Sequence, residues 1–278
     1  MIDIVTVVFA QEIPILQVQA QSIDLYCRDI GVKNIFVVVN DADNVTDQID
    51  PAWWGSFADR VQVVARSSFD CDFVSNGWVS QQVLKMLAAS SSANEWSMVL
   101  DAKTIFVNTF PIDKLFDKDH KLKVGLLPIY PVFEPSRQIT NQLFGIDLKH
   151  QAGPGGVPFF FHTQTLRDMI EYLEQRVNQN FSEWFQSQGM LTEFILYSGW
   201  IEYRSGLDRC YSNWSCFNVC NLCHSELDIA DTKISEYMHD PRILTVSIHR
   251  NAWSQLNNAQ QQTYRDFLIS RGISREIV

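Results

Sequence analysis

Short apolar runs alternate along this chain with stretches of helical periodicity. Ile2 to Phe9 is mostly apolar and rich in β-branched residues, the pattern of a strand buried on both faces. Pro14 suits a first helical turn, Leu16, Ala20 and Ile23 follow at helical spacing, and Gly31 is placed to stop the segment. Asn34 to Val39 and Val61 to Ala65 read as two further strands. Gly77 to Ser90 reads as a helix with Val79, Val83 and Met86 on one face, and it leads into an apolar run, Met98 to Leu100, that ends in Asp101.

The second half is less regular. Lys123 to Leu127 reads as a strand, followed by the turn P-I-Y-P-V-F-E-P (128 to 135) and the loop G-P-G-G-V-P (153 to 158). Phe159 to Phe161 precedes a helix whose apolar stripe is Leu166, Met169, Ile170, Leu173 and Val177. Thr192 caps a helix running to about Tyr203, Leu244 to Ile248 is a late strand ending in His249-Arg250, and a last helix runs from Asn258 to Gly272. Strands alternating with helices predict an α/β fold with a mixed, mostly parallel sheet flanked by helices. In such sheets ligands bind beyond the carboxyl ends of the strands, where Asn40-Asp41 and Asp101 fall. No repeat or linker divides residues 1–278, which read as one domain.

Composition narrows the function classes. The chain is 46% hydrophobic and 19% charged, a globular balance. Its net charge of −10 disfavours nucleic acid as a partner. No apolar stretch reaches membrane-spanning length, and M-I-D-I-V-T-V-V-F-A lacks the basic start of a signal peptide. The expected compartment is the cytoplasm (host cytoplasm for a viral chain), where six cysteines stay reduced.

The residues with possible chemistry begin at W-S-M-V-L-D-A-K-T-I-F-V (96 to 107). A carboxylate ending a buried strand needs a cationic partner. In enzymes that move sugars from nucleotide donors a second acid often follows two residues on, facing the same way. Here that position is Lys103, which cannot bind a divalent cation while protonated but can pair with phosphate. Trp78, Gln82 and Lys85 share one helix face, as do Glu193, Tyr197 and Trp200. Each set has a plain alternative: a solvated helix face over a buried tryptophan, and an N-terminal glutamate favoured by the helix dipole. The segment C-Y-S-N-W-S-C-F-N-V-C-N-L-C-H holds Cys210, Cys216, Cys220 and Cys223. Its Cys-x₂-Cys-His end matches a haem c attachment pattern or half a structural zinc site, and buried free thiols are the third reading.

Four pieces in order carry a resemblance: G-W-V-S-Q-Q-V-L-K (77 to 85), V-L-D-A-K-T-I-F-V (99 to 107), P-F-F-F-H-T (158 to 163) and T-E-F-I-L-Y-S-G-W-I (192 to 201). With them the chain resembles a nucleotide-sugar glycosyltransferase of the GT-A fold, and is similar to a little-characterised group of bacterial and viral proteins of that type. The resemblance implies a Rossmann-like GT-A fold, with a nucleotide-binding half over residues 1–110 and an acceptor-binding half over 111–278. It implies transfer of a sugar from a nucleoside diphosphate donor to a glycan or small-molecule hydroxyl. By that likeness Thr6, Asn40 and Asp41 hold the nucleoside, and Gln82 and Lys85 line the donor cleft. Asp101, Lys103 and Arg250 face the diphosphate, and Gly155 and Gly156 allow close backbone approach. Asp101 and His249 are candidate ligands for Mn²⁺ or Mg²⁺, with direct pairing of Lys103 to phosphate as the metal-free alternative. Glu193 is the candidate general base, and Tyr197 and Trp200 the candidate acceptor platform. The rival expectations are a lapsed relative that binds without turnover, a zinc-stabilised interaction module, and a nucleotidyltransferase. The last lacks its Gly-rich loop near the first strand.

Overall fold

The computed structural model describes residues 1–69, 71, 77–109, 112–153, 156–235 and 237–276. The first strand, β1 (Ile2–Val8), is buried at every position, as its unbroken apolar run requires. After it come α1 (Ile13–Tyr26), β2 (Val32–Val39), β3 (Val61–Ala65), α2 (Gly77–Ser91) and β4 (Trp96–Asp101). The chain continues through β5 (Ile105–Phe106), α3 (Ile112–Leu115), β6 (Leu126–Pro128), α4 (Glu134–Phe144), β7 (His150–Ala152), β8 (Phe159–His162), α5 (Thr163–Val177), α6 (Phe181–Ser187) and α7 (Glu193–Arg204). It ends with β9 (Asn218–Leu222), α8 (Ala230–Ser235), β10 (Ile243–Ile248), α9 (Arg250–Trp253) and α10 (Asn258–Ser270).

The central sheet has the order β3-β2-β1-β4-β8, with β1, β2, β3 and β4 parallel and β8 antiparallel at the edge. Progress from β1 to β2 to β3 goes one way, and the chain then returns to place β4 on the other side of β1. Strand order thus switches between the parallel β1 and β4, and a crevice opens beyond their carboxyl ends. Asp101 pairs with Val7 in register and stands at that crevice. A second sheet, β5-β10-β9, is bound to the first through the Asp101–Ile105 turn, and its core packs against Ile15 and Val18 of α1. At the opposite end of the first sheet the fully buried Asp3 accepts from Asn34 N and Nδ2, Asn94 Nδ2 and Ser92 Oγ. A buried carboxylate met by four donors fixes that edge and leaves none of its charge for a ligand.

Several elements depart from expectation. The predicted strand at Lys123 to Leu127 begins only at Leu126, and Leu122 and Val124 instead form single bridges to Tyr211 and Ser215. The Pro-rich turn leads directly into α4, because Pro135 takes a first-turn position where its missing N–H costs nothing. Helix α6 and strand β9 lay unread because both are short, five to seven residues, and β9 hides in the cysteine-rich stretch. Among the described residues no helix is long and apolar enough to cross a membrane.

Helices α4 and α7 touch through Gly199, where a Cβ would lie 2.1 Å from Thr140 Cγ2. Thr140 is fully buried and has no room to retreat. Gly199→Ala is therefore expected to destabilise the fold by about 1–3 kcal/mol in urea denaturation, although alanine is the better helix former. Unchanged stability would show that the two helices slide apart freely.

Candidate active site

Helix α1 builds the site from below. Its buried Gln19 donates from Nε2 to the carbonyls of Asp101 (2.6 Å) and Thr104 (3.0 Å), and Thr104 N donates to Asp101 O. Ser22 Oγ accepts from Phe106 N. One helix face thus clamps the turn after β4 and fixes where Asp101 and Lys103 point. Nothing marked Gln19 and Ser22 in the sequence beyond their being polar on the inward face of an amphipathic helix.

Asp101 is held on both oxygens. Lys85 Nζ lies 2.6 Å from Oδ1 and Lys103 Nζ lies 2.7 Å from Oδ2, with Gln81 Nε2 at 3.3 Å from Oδ1. Only 19% of its side chain is exposed. Burial alone would raise its pKa, but the ammonium groups of Lys103 and Lys85 overcome this and hold the carboxyl well below the usual range. Lys85 is buried and also meets Glu193 Oε1 at 3.4 Å. Burial opposes its charge, and Asp101 and Glu193 together raise its pKa. Glu193 is the buried end of the row: burial raises its pKa, and Lys85 pulls it back. The row Lys103–Asp101–Lys85–Glu193 alternates in sign from the surface inward.

This row corrects several expectations. Lys85 lines no open cleft, because its ammonium is committed to two carboxylates. Gln82 is buried and uses Oε1 to cap α7 at Glu193 N, so it is not free for a sugar hydroxyl. Trp78, on the same helix, is the exposed member of that set at 49%. Glu193 has no open face from which to take an acceptor's proton and starts α7, where the helix dipole favours it. Tyr197 and Trp200 form no surface platform. Tyr197 is fully buried between Phe159 and Phe161 with its hydroxyl accepting from His162 N, and Trp200 donates from Nε1 to Thr165 O among Phe144 and Tyr172. The helical spacing was right, but the face it defines turns inward.

Of the nucleoside residues, Asn40 and Asp41 are likewise committed, and Thr6 is closed off by burial. Thr6 is fully buried inside β1, paired to Val37 and Leu100. Asn40 donates to Ser80 Oγ and Gly77 O, tying β2 to the start of α2. Asp41 accepts from Ala10 N and Ala42 N and shapes the loop after β1. Gly155 lies outside the described residues, and Gly156 sits near Asn221, where a Cβ would have ordinary room.

The open part of the site is a crevice of about 330 Å³ beyond the ends of β1, β4 and β10. Lys103, Arg250 and Arg265 line it with Glu12, and Trp253 and Tyr264 give it an aromatic wall. Arg250 is exposed and its side chain makes no hydrogen bond or ion pair among the described residues, and Arg265 stacks over Trp253, its guanidinium 5.5 Å from the ring centre. Burial raises the pKa of Glu12, whose carboxylate accepts from Phe9 N while Lys103 opposes the shift. Arg265 and Glu12 escaped the sequence reading because neither belongs to a motif, and only the fold brings them to Lys103.

A divalent metal does not fit the residues present. Both oxygens of Asp101 are taken by ammonium groups, so neither is free for a cation while the lysines stay protonated. His249 caps α9, with Nδ1 accepting from Asn251 N, so the neutral ring carries its proton on Nε2 and has no lone pair to offer there. Among the described residues no three His, Cys, Asp or Glu side chains converge on a metal position. This includes the cysteines. Cys220 is buried in β9 with its thiol pushed up to about 11 by burial.

The ion row makes stability depend on pH. Asp101 has a folded pKa below its unfolded value, so its contribution is present above the unfolded value and is lost as pH falls through the acid range. The stability gap between the parent and Asp101→Asn should therefore be full at pH 7 and shrink progressively as pH falls below about 4, the ordinary aspartate value. Urea denaturation at pH 7 and through the acid range below about pH 4 measures it, and a constant gap would mean that Asp101 is not stabilised by its lysines.

Comparison with solved structures bears on this geometry. The galactosyltransferase LgtC, solved in complex with donor and acceptor sugar analogues, aligns with 96% of this chain and 95% of its own at 12% identity and a TM-score of 0.50. An active-site mutant of LgtC aligns over the same shares at 13% identity and a TM-score of 0.50. At such identity the likeness establishes the fold, which is GT-A-like. No curated protein sequence matches. A family model covers residues 4–264, nearly the whole of both sheets and their helices, and by that match the chain belongs to DUF6492, a family of unknown function.

Proposed function

We propose that this chain transfers a sugar from a nucleoside diphosphate donor to a hydroxyl of a glycan or small acceptor, and that its own cations take the place of a metal. The observation that carries this reading is Lys103, which bridges Asp101 and the crevice shared with Arg250 and Arg265. When the sugar leaves its donor, negative charge grows on the diphosphate oxygen. Fixed cations aimed at that oxygen lower the barrier because they need no reorganisation. Arginine forks match phosphate oxygens in pairs, and lysine adds a compact charge. Asp101 holds Lys103 in place, and Lys85 keeps Asp101 ionised. Glu193, buried behind Lys85, acts as a positioning residue. LgtC, a galactosyltransferase of the same fold, supports the class of reaction.

A second reading, binding without turnover, draws on the burial of Glu193, which leaves no open base at that position. One assay separates the two. Donor turnover is expected to survive EDTA and to gain nothing from Mn²⁺, and Lys103→Ala and Arg250→Ala should each lower kcat/KM by about 10²–10³. Loss of activity in EDTA with recovery in Mn²⁺ would overturn the metal-free account, and absence of any donor cleavage would favour the binding protein.

A further inference from the structure

A second concavity, about 550 Å³, runs along β9 and differs in chemistry from the cationic crevice. Its size falls within the roughly 300–1,000 Å³ of small-ligand sites. Its floor is apolar, made by β6, β9 and Phe217. Its polar wall is Asn213, Ser215, Asn218, Asn221, Lys233 and Asp240. The two charges are already committed, Lys233 to Glu226 and to Asn221 O, and Asp240 to Arg242. What remains available is neutral. The side-chain amides of Asn213 and Asn218 make no hydrogen bond among the described residues, and Asn221 uses Oδ1 for Ser247 while its Nδ2 has no such partner. Such a surface has little to offer a phosphate and much to offer hydroxyl groups, because an amide both donates and accepts.

Between the lining residues Asn213 and Ser215 stands Trp214, 57% exposed, with Lys123 Nζ 5.1 Å from the ring centre. An exposed indole beside open amides and an apolar floor suits a sugar ring, whose C–H faces stack on aromatics while its hydroxyls bond to amides. The groove also has a direction. Beyond Asn221 the strand reaches Leu222, whose carbonyl accepts from His249 N, and Arg250 follows in the cationic crevice.

We propose that this groove binds a neutral oligosaccharide, the acceptor, with Trp214 stacking on one ring and Asn213, Asn218 and Asn221 holding hydroxyls. Its Asn221 end then presents one hydroxyl toward Lys103. This assignment rests on the sugar-transfer reading above, and it replaces Tyr197 and Trp200 as the acceptor contacts. The test is glycan-array binding by the full chain, compared with Trp214→Ala and with the Asn213→Ala/Asn218→Ala double variant. Thermal shift with nucleoside diphosphates is run on all three as a check on folding and on the donor crevice. Binding of the parent to neutral glycans is expected, falling at least tenfold in both variants while nucleotide shifts persist. No bound glycan, or binding undiminished in both variants, would overturn the groove. Glycan binding through the groove with no nucleotide shift in any protein would leave the groove standing and remove the donor reading instead.

Discussion

A carboxylate at the end of a buried strand has to be neutralised, and here two ammonium groups do it. At contact distance and an effective dielectric of 20, each Asp101–lysine pair gains on the order of 5 kcal/mol of Coulomb energy. Desolvation takes back several kcal/mol for each buried ion. The net stabilisation is therefore small, but removing one partner is costly because a buried charge is left alone. Such a row is a poor source of stability and a good source of position. It forces Lys103 to the mouth of the crevice and ties Lys85 and Glu193 beneath it.

The rest of the site follows from that constraint and from strand order. The switch between β1 and β4 opens the crevice, and Gln19 of α1 fixes the turn that carries the lysine. The second sheet then brings Arg250, at the start of α9 just after β10, and Arg265 on α10 to the same place. Three cations from three separate elements meet within a chain of net charge −10, so the local field runs against the global one. Such a local field attracts anions even where the surface as a whole repels them.

Much of the fold was legible because its signals are local. The β-branched run at Ile2 to Val8, the apolar stripe from Leu166 to Val177 and the strand ending in Asp101 each declare themselves within a few residues. The site was less legible because periodicity gives a face but not what the face meets. Tyr197 and Trp200 share a side of α7 as their spacing predicts, yet that side packs on Phe159, Phe161 and Tyr172. Lys85 was singled out as lining the donor cleft, but its burial, which commits it to carboxylates rather than to a ligand, depends on α7 packing over α2. Arg265 sits in a segment without motif and Asn218 in a stretch read only for its cysteines, and only long-range pairing gives them neighbours.

The central claim is that Lys103 and the two arginines bind the donor diphosphate without a metal. The most direct measurement is calorimetric titration of a nucleoside diphosphate into the protein, in EDTA and then in Mn²⁺, at two salt concentrations. The account predicts the same affinity with and without metal, weakened by salt as charge pairing requires. Binding that appears only with Mn²⁺ would contradict it.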